Sequence, residues 1–200
     1  MPDSWSWQEA QETLSCRDPI LASLFDLYPQ ERLTRVSTAF ASLAKAVVAQ
    51  QISTKAAEAI WGRILLQVKD VLPENFLALS LEAFVRLGLS RRKAQYLLGL
   101  AQYFARHGDA PWRWETLEDE EVRKELQALK GIGPWTVDMF LIFYLLRPNI
   151  LPMKDLGIQK AAESLYGKGQ LLRLKELWSP WCTVAAWTLW RHLDPVAVRY

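Results

Sequence analysis

Apolar residues recur three and four apart along most of this 200-residue chain, and strict two-residue alternation is nowhere sustained. That period belongs to helices that bury one face, so strands are not expected. It predicts a buried helix over Ser37–Gln50, carried by Phe40, Leu43, Ala44, Val47 and Val48. A second follows over Ser53–Val68, carried by Ala56, Ala57, Ile60, Ile64 and Leu65, with Ser53 or Thr54 as its cap. Short helices are expected at Pro73–Leu79 and Leu81–Leu87, then a long one at Ser90–His107 that Gly108 ends. Arg113–Thr116 reads as linker. Glu118–Glu121 places acids at the positive end of a helix running to Ala128. Pro134–Leu146, stopped by Pro148, Asp155–Tyr166, Gly169–Trp178 and Pro180–Leu193 complete the set. The fold class is all-α, with about ten helices. The length suits one compact unit or two small lobes around a cleft.

Composition narrows the class. Half of the residues are hydrophobic, enough to bury a core without a disulfide or metal staple. Cys16 and Cys182 lie far apart, no CxxC pair exists, and no His/Cys cluster has ligand spacing. They read as ordinary thiols of a reducing compartment, and neither metal nor cofactor is expected. The N-terminus, MPDSWSWQEAQE, is acidic and does not read as a signal peptide. No apolar run approaches a membrane span. The expectation is a soluble protein of the bacterial cytoplasm, or of the nucleus in a eukaryote. A net charge of +2 conceals an asymmetry: residues 32–114 and 122–200 are basic, while residues 1–31 and 115–121 are acidic. Solvated helix faces account for this as readily as a positive face toward a polyanion does.

The most informative segment is Leu129-Lys130-Gly131-Ile132-Gly133-Pro134-Trp135-Thr136. One helix ends just before it, and Pro134 sits where a first helical residue belongs. Gly131 and Gly133 let the backbone turn sharply and approach another surface without an intervening Cβ. N–H groups of such a turn, backed by a helix N-terminus, make an anion site, with Ile132 pinning the turn to the core. A bare helix–helix turn is the competing account for an isolated Gly-x-Gly. The whole pattern, Leu-x-Gly-Ile-Gly-x-x-Thr between two helices, favours phosphate, with Lys130 and Thr136 among the candidate contacts.

The segment resembles the DNA-binding hairpin of the helix-hairpin-helix DNA glycosylase superfamily, and its surroundings are similar to the alkylated-base branch, the DNA-3-methyladenine glycosylase II type. Val48-Ala49-Gln50-Gln51-Ile52-Ser53 resembles that family's early helix-to-turn element, and Gly88-Leu89-Ser90-Arg91-Arg92-Lys93-Ala94-Gln95-Tyr96 its middle motif. Leu151-Pro152-Met153-Lys154-Asp155-Leu156-Gly157 resembles the loop that carries the catalytic aspartate. The run from Trp178 to Arg191 resembles the closing helix, so the likeness spans about residues 36–194. It implies one glycosylase unit over 1–200. A helical lobe near 36–112 is contiguous with a hairpin and catalytic region near 116–194, and N-terminal helices pack back. The chain departs from the family in three ways. It has no room for the extra N-terminal β domain of some members. Met139 stands where some bacterial members have a pocket tyrosine. The four cysteines of the iron–sulfur branches are missing.

The resemblance makes Asp155 the catalytic carboxylate, which would stabilise the cationic sugar formed as an N-glycosidic bond breaks and could orient or deprotonate the water. From position alone Asp155 is a helix cap, and the two roles are compatible. Asp138 is the rival carboxylate. A flipped base needs flat apolar walls. Ten tryptophans are present, most of them claimed by the core; the resemblance points to Trp135 and Trp190, with Met139 and Trp187 beside them. It places the wedge that fills the vacated stack at Gln51, supported by Gln50 and Ser53. Arg91, Arg92 and Lys93 are candidate phosphate contacts, or equally a solvated face. The reading is thus a monofunctional glycosylase for alkylated purines, a monomer acting on damaged double-stranded DNA. A glycosylase for another base, a non-catalytic hairpin module and a scaffold with a coincidental turn are the alternatives.

Overall fold

A computed structural model of the chain describes residues 5–28, 32–108 and 112–194. The expected end of the helical lobe adjoins residues 109–111, which lie outside the described residues. Thirteen helices and no strand occur among those described: α1 (Trp7–Arg17), α2 (Pro19–Leu27), α3 (Ala39–Ala49), α4 (Thr54–Val68), α5 (Pro73–Leu77), α6 (Leu81–Arg86), α7 (Arg91–His107), α8 (Trp112–Glu115), α9 (Asp119–Gln127), α10 (Pro134–Phe143), α11 (Leu156–Tyr166), α12 (Leu171–Trp178) and α13 (Cys182–Leu193). None is long and apolar enough to cross a membrane.

Local chemistry explains the boundaries. The Ser53, Ser80 and Ser90 hydroxyls each accept from an amide three residues on, starting α4, α6 and α7. Glu118 and Glu121 form a reciprocal capping box on α9. Asp18 ends α1, caps α2 and precedes Pro19 at the first helical position. Several expectations change: thirteen helices stand where about ten were expected, α5 ends at Leu77 rather than Leu79, and α13 begins at Cys182 rather than Pro180. The linker at Arg113–Thr116 is instead a short helix, α8, because Trp114 is fully buried between Phe104 and Phe140, 5.8 and 5.4 Å away between ring centroids. α10 ends at Phe143, not Leu146, since Leu146 adopts φ 54° and the Arg147 amide donates back to Leu141. α12 begins only at Leu171, after Gly169 at φ 75°.

Two compact units form. In the unit of residues 36–140, α3 packs on α4 and α7, and α5 and α6 also rest on α7. Phe40, Phe76, Phe84 and Phe104 make its aromatic core. The other unit joins residues 5–35 to 141–194 around α13, whose residues from Cys182 to Arg191 are all buried. A helix buried on every face is the centre of its unit, and α1, α2, α11 and α12 surround it. Asp18, 2% exposed, ties this unit together: its carboxylate accepts from Ile20 N, Leu21 N, the Tyr166 hydroxyl and Trp178 Nε1. Burial, with the Asp18 carboxylate beside it, pushes the Tyr166 phenol upward. Both cysteines are free thiols, Cys16 exposed and Cys182 buried.

Candidate functional site

In the unit of residues 36–140, α9 and α10 are joined by the glycine turn. Its backbone closes through Leu129 N to Leu126 O and Ile132 N to Leu129 O, and Ile132 is 5% exposed, so it anchors the turn in the core. Gly133 accepts from Val137 N at the head of α10. A helix N-terminus carries a positive partial charge that favours an anion, although Pro134, the first residue of α10, has no N–H to give. Lys130 is exposed on the same turn.

The two glycines have different reasons. Gly131 has φ +92°, and a Cβ there would lie 2.2 Å from Cγ of Tyr96 on α7. Its missing side chain makes room for a ring of the protein itself, which corrects the expectation that both glycines open a path to phosphate. A Cβ on Gly133 would meet nothing within 4 Å, so this glycine leaves its surface open.

Gln50 and Gln51 form the turn between α3 and α4. Gln50 Nε2 donates to the Gly131 carbonyl and to Thr136 Oγ1, both at 2.9 Å. Thr136, expected as a DNA contact, is 1% exposed and turned to Gln50 instead. Gln51 is exposed, with the rare left-handed φ of 58° that few residues other than glycine adopt. Ser53 is exposed and caps α4. Arg91 pairs with Glu82, and Arg92 donates to the Tyr96 hydroxyl. Lys93 turns inward, donating from Nζ to the carbonyls of Val48 and Gln50 at 2.7 and 2.5 Å. Asp138 binds Arg123 of α9 at 2.7 Å, bracing the two helices of the hairpin motif. Trp135 is half-buried, and Met139 is 1% exposed.

The other unit holds Asp155 at the N-cap of α11. Its Oδ1 accepts from Ile158 N and from Trp190 Nε1, each at 2.9 Å. The Trp190 ring stacks on Phe143, centroids 5.6 Å apart and planes 24° from parallel. Gly157 leaves room here: a Cβ would lie 3.0 Å from Asp155 Oδ1 and 3.2 Å from the Trp190 ring, so a larger residue would crowd both. The loop before Asp155 is held by Thr183 of α13, whose hydroxyl donates to Arg147 O and accepts from Ile150 N. The result is a carboxylate of fixed orientation beside an aromatic wall, suited to a developing cation. Trp187, one turn before Trp190, does not join it: its ring meets Trp7 edge-on at 5.4 Å. Phe143, an apolar helical position, carries no site signal in the sequence; Gly157 and Tyr96 lie within the loop and middle motifs, and only the fold shows what each touches.

A model of the "HhH-GPD superfamily base excision DNA repair protein" family matches residues 44–181. DNA-3-methyladenine glycosylase 1 of Schizosaccharomyces pombe is 33% identical over 182 residues, which cover 86% of this chain and 79% of that protein. The solved 3-methyladenine DNA glycosylase of the same organism, in complex with abasic DNA, aligns with a TM-score of 0.83 at 31% identity, over 92% of this chain and 95% of that one. The 3-methyladenine DNA-glycosylase from Archaeoglobus fulgidus aligns at 0.82 and 25% identity, over 96% of this chain and 71% of that one. With a match that reaches from α3 to the residue before α13, and this likeness of fold, the chain belongs to the HhH-GPD superfamily of base excision DNA repair proteins.

Proposed function

We infer that this chain is a DNA-3-methyladenine glycosylase that hydrolyses the N-glycosidic bond of ring-methylated purines, 3-methyladenine and 7-methylguanine, in duplex DNA. The observation that carries this reading is the Asp155 carboxylate, fixed at the α11 N-terminus by Ile158 N–H and by the indole N–H of a stacked tryptophan. The names of the relatives support the substrate class.

The chemistry follows from charge. A ring-methylated purine carries a formal positive charge while attached to the sugar. When the C1′–N9 bond breaks, its electron pair stays with the base, which leaves neutral. The sugar becomes the cation, and Asp155 stabilises it. Water then bonds to C1′ and gives up a proton, leaving an abasic site. No general acid is required for such a leaving group, and His107 accordingly stays with its own helix, Nδ1 meeting Tyr103 O. The indole face at Trp190, beside Asp155, favours a cationic base by about 0.5–2 kcal/mol, a modest preference, so lesion lability supplies much of the selectivity. Gln51 fills the vacated stack while the hairpin amides, Lys130 and the surface open at Gly133 take the backbone phosphates. Trp135 occupies the position where, by family resemblance, strand-cutting members carry a lysine. The enzyme is therefore monofunctional, and it acts as a monomer.

Incubation with duplex DNA bearing each lesion tests this. Free 3-methyladenine and 7-methylguanine should appear, hypoxanthine should be released more slowly, and borohydride should trap no protein–DNA adduct. Efficient release of 8-oxoguanine or uracil with both methylated purines untouched would overturn the substrate class. Efficient trapping would overturn the monofunctional mechanism.

A further inference from the structure

Helix α7 touches both elements assigned to DNA through two residues one turn apart. Lys93 Nζ holds the carbonyls of Val48 and Gln50, at the end of α3 where Gln51 begins its left-handed turn. Tyr96, three positions on and so on the same helix face, fills the space that Gly131 leaves in the hairpin. Gln50 closes the loop, its backbone carbonyl on Lys93 and its side chain on Gly131 O and Thr136 Oγ1. We propose that Lys93 is a positioning residue that couples the Gln51 turn to the hairpin, so that wedge and phosphate clamp meet DNA as one rigid piece. This rests on the wedge reading of Gln51 given above.

Three physical points support the coupling. A left-handed φ at a residue other than glycine is strained and persists only where its surroundings over-determine it. Lys93 supplies that constraint, because an ammonium across two carbonyls satisfies the helix end and opposes its negative partial charge. Its burial, which lowers the lysine pKa, is the mark of an amine drawn inward rather than one offered to solvent phosphate. Arg91 and Arg92 beside it are both exposed, so the inward turn is particular to position 93.

The test reads wedge insertion without needing excision. Protein is titrated onto a duplex holding a tetrahydrofuran abasic analogue with 2-aminopurine beside it, where unstacking raises fluorescence. The wild type should give a large rise. Lys93→Met should still bind, since hairpin and phosphate contacts remain, yet lose half or more of the rise at saturation. Lys93→Arg, which keeps donors for both carbonyls, should restore it. Combining Lys93→Met with Gln51→Ala should be no worse than Gln51→Ala alone, the signature of two residues acting through one step. Single-turnover excision from duplex should fall about tenfold in Lys93→Met, the scale of losing charge-assisted hydrogen bonds. Excision from single-stranded DNA, where no stack needs filling, should change little. If Lys93→Met does not fold, Gln50→Met cuts the same tie at the hairpin end and should reproduce the loss. A full rise in Lys93→Met, or additive losses in the double variant, overturns the coupling alone. A full rise in Gln51→Ala overturns the wedge reading, and the coupling with it.

Discussion

Adding one methyl group at each hairpin glycine separates folding from phosphate contact. At Gly131 an alanine must hold φ +92°, at about 1–2 kcal/mol, and its Cβ would lie 2.2 Å from Tyr96 Cγ, well inside van der Waals contact. The ring must move, and displacing packed side chains costs about 1–3 kcal/mol. Together Gly131→Ala should lose roughly 2–5 kcal/mol, which for a chain of this length lowers Tm by roughly 5–15 °C. Gly133 lies outside the left-handed region and a Cβ there meets nothing within 4 Å, so Gly133→Ala should stay within about 1 kcal/mol of wild type. If phosphate rests on that open backbone, the same methyl should weaken DNA binding across sequences and lesions alike, and flatten the dependence of log K on log salt. The assays are thermal melting followed by DNA titration at several salt concentrations, below the melting range of both variants. Wild-type affinity and salt slope in folded Gly133→Ala would refute the phosphate reading. An unchanged Tm in Gly131→Ala would refute the role given to Tyr96.

Trp190→Phe keeps a ring to stack on Phe143 but removes the Nε1–H that holds Asp155 Oδ1. Excision should slow by about tenfold, the scale of one hydrogen bond to a charged group, and Tm should fall modestly because a buried indole is replaced by a smaller ring. A wild-type rate would mean that the indole does not orient the carboxylate. Asp18→Ala strands the buried Tyr166 hydroxyl and Trp178 Nε1 and uncaps α2, so it should cost roughly 3–5 kcal/mol. Its single-turnover rate at low temperature should match wild type, and a lower one would make Asp18 more than an anchor.

Much of this architecture was legible where chemistry punctuates the chain. Ser53 and Ser90 announced helix starts, and Gly131-Ile132-Gly133-Pro134 announced the hairpin, because caps, glycines and prolines act through their own backbone. Asp155 could be read as a cap for the same reason. The helices before residue 36 were harder: α1 buries only Ala10 and Leu14, so it shows little apolar period. Trp114 turned an apparent linker into a helix by tertiary burial, which no local rule conveys. The site resisted for a related reason. Thr136 and Lys93 have side chains that suit DNA, and only the fold shows them turned toward Gln50. Trp187 and Trp190 share a helix and a residue type, yet one packs on Trp7 and the other on Asp155 and Phe143. Partners brought together from distant parts of the chain decide that difference.

The central claim is that the Asp155 carboxylate stabilises a cationic sugar, and charge removal at constant shape tests it. Asparagine caps helices as well as aspartate, and in Asp155→Asn the amide oxygen can still accept from Ile158 N and Trp190 Nε1. Tm and affinity for abasic DNA should therefore hold. Single-turnover release of 7-methylguanine from methylated duplex should fall by roughly a hundredfold or more, the scale of lost transition-state electrostatics. Release at close to the wild-type rate by folded, DNA-binding Asp155→Asn would contradict the account.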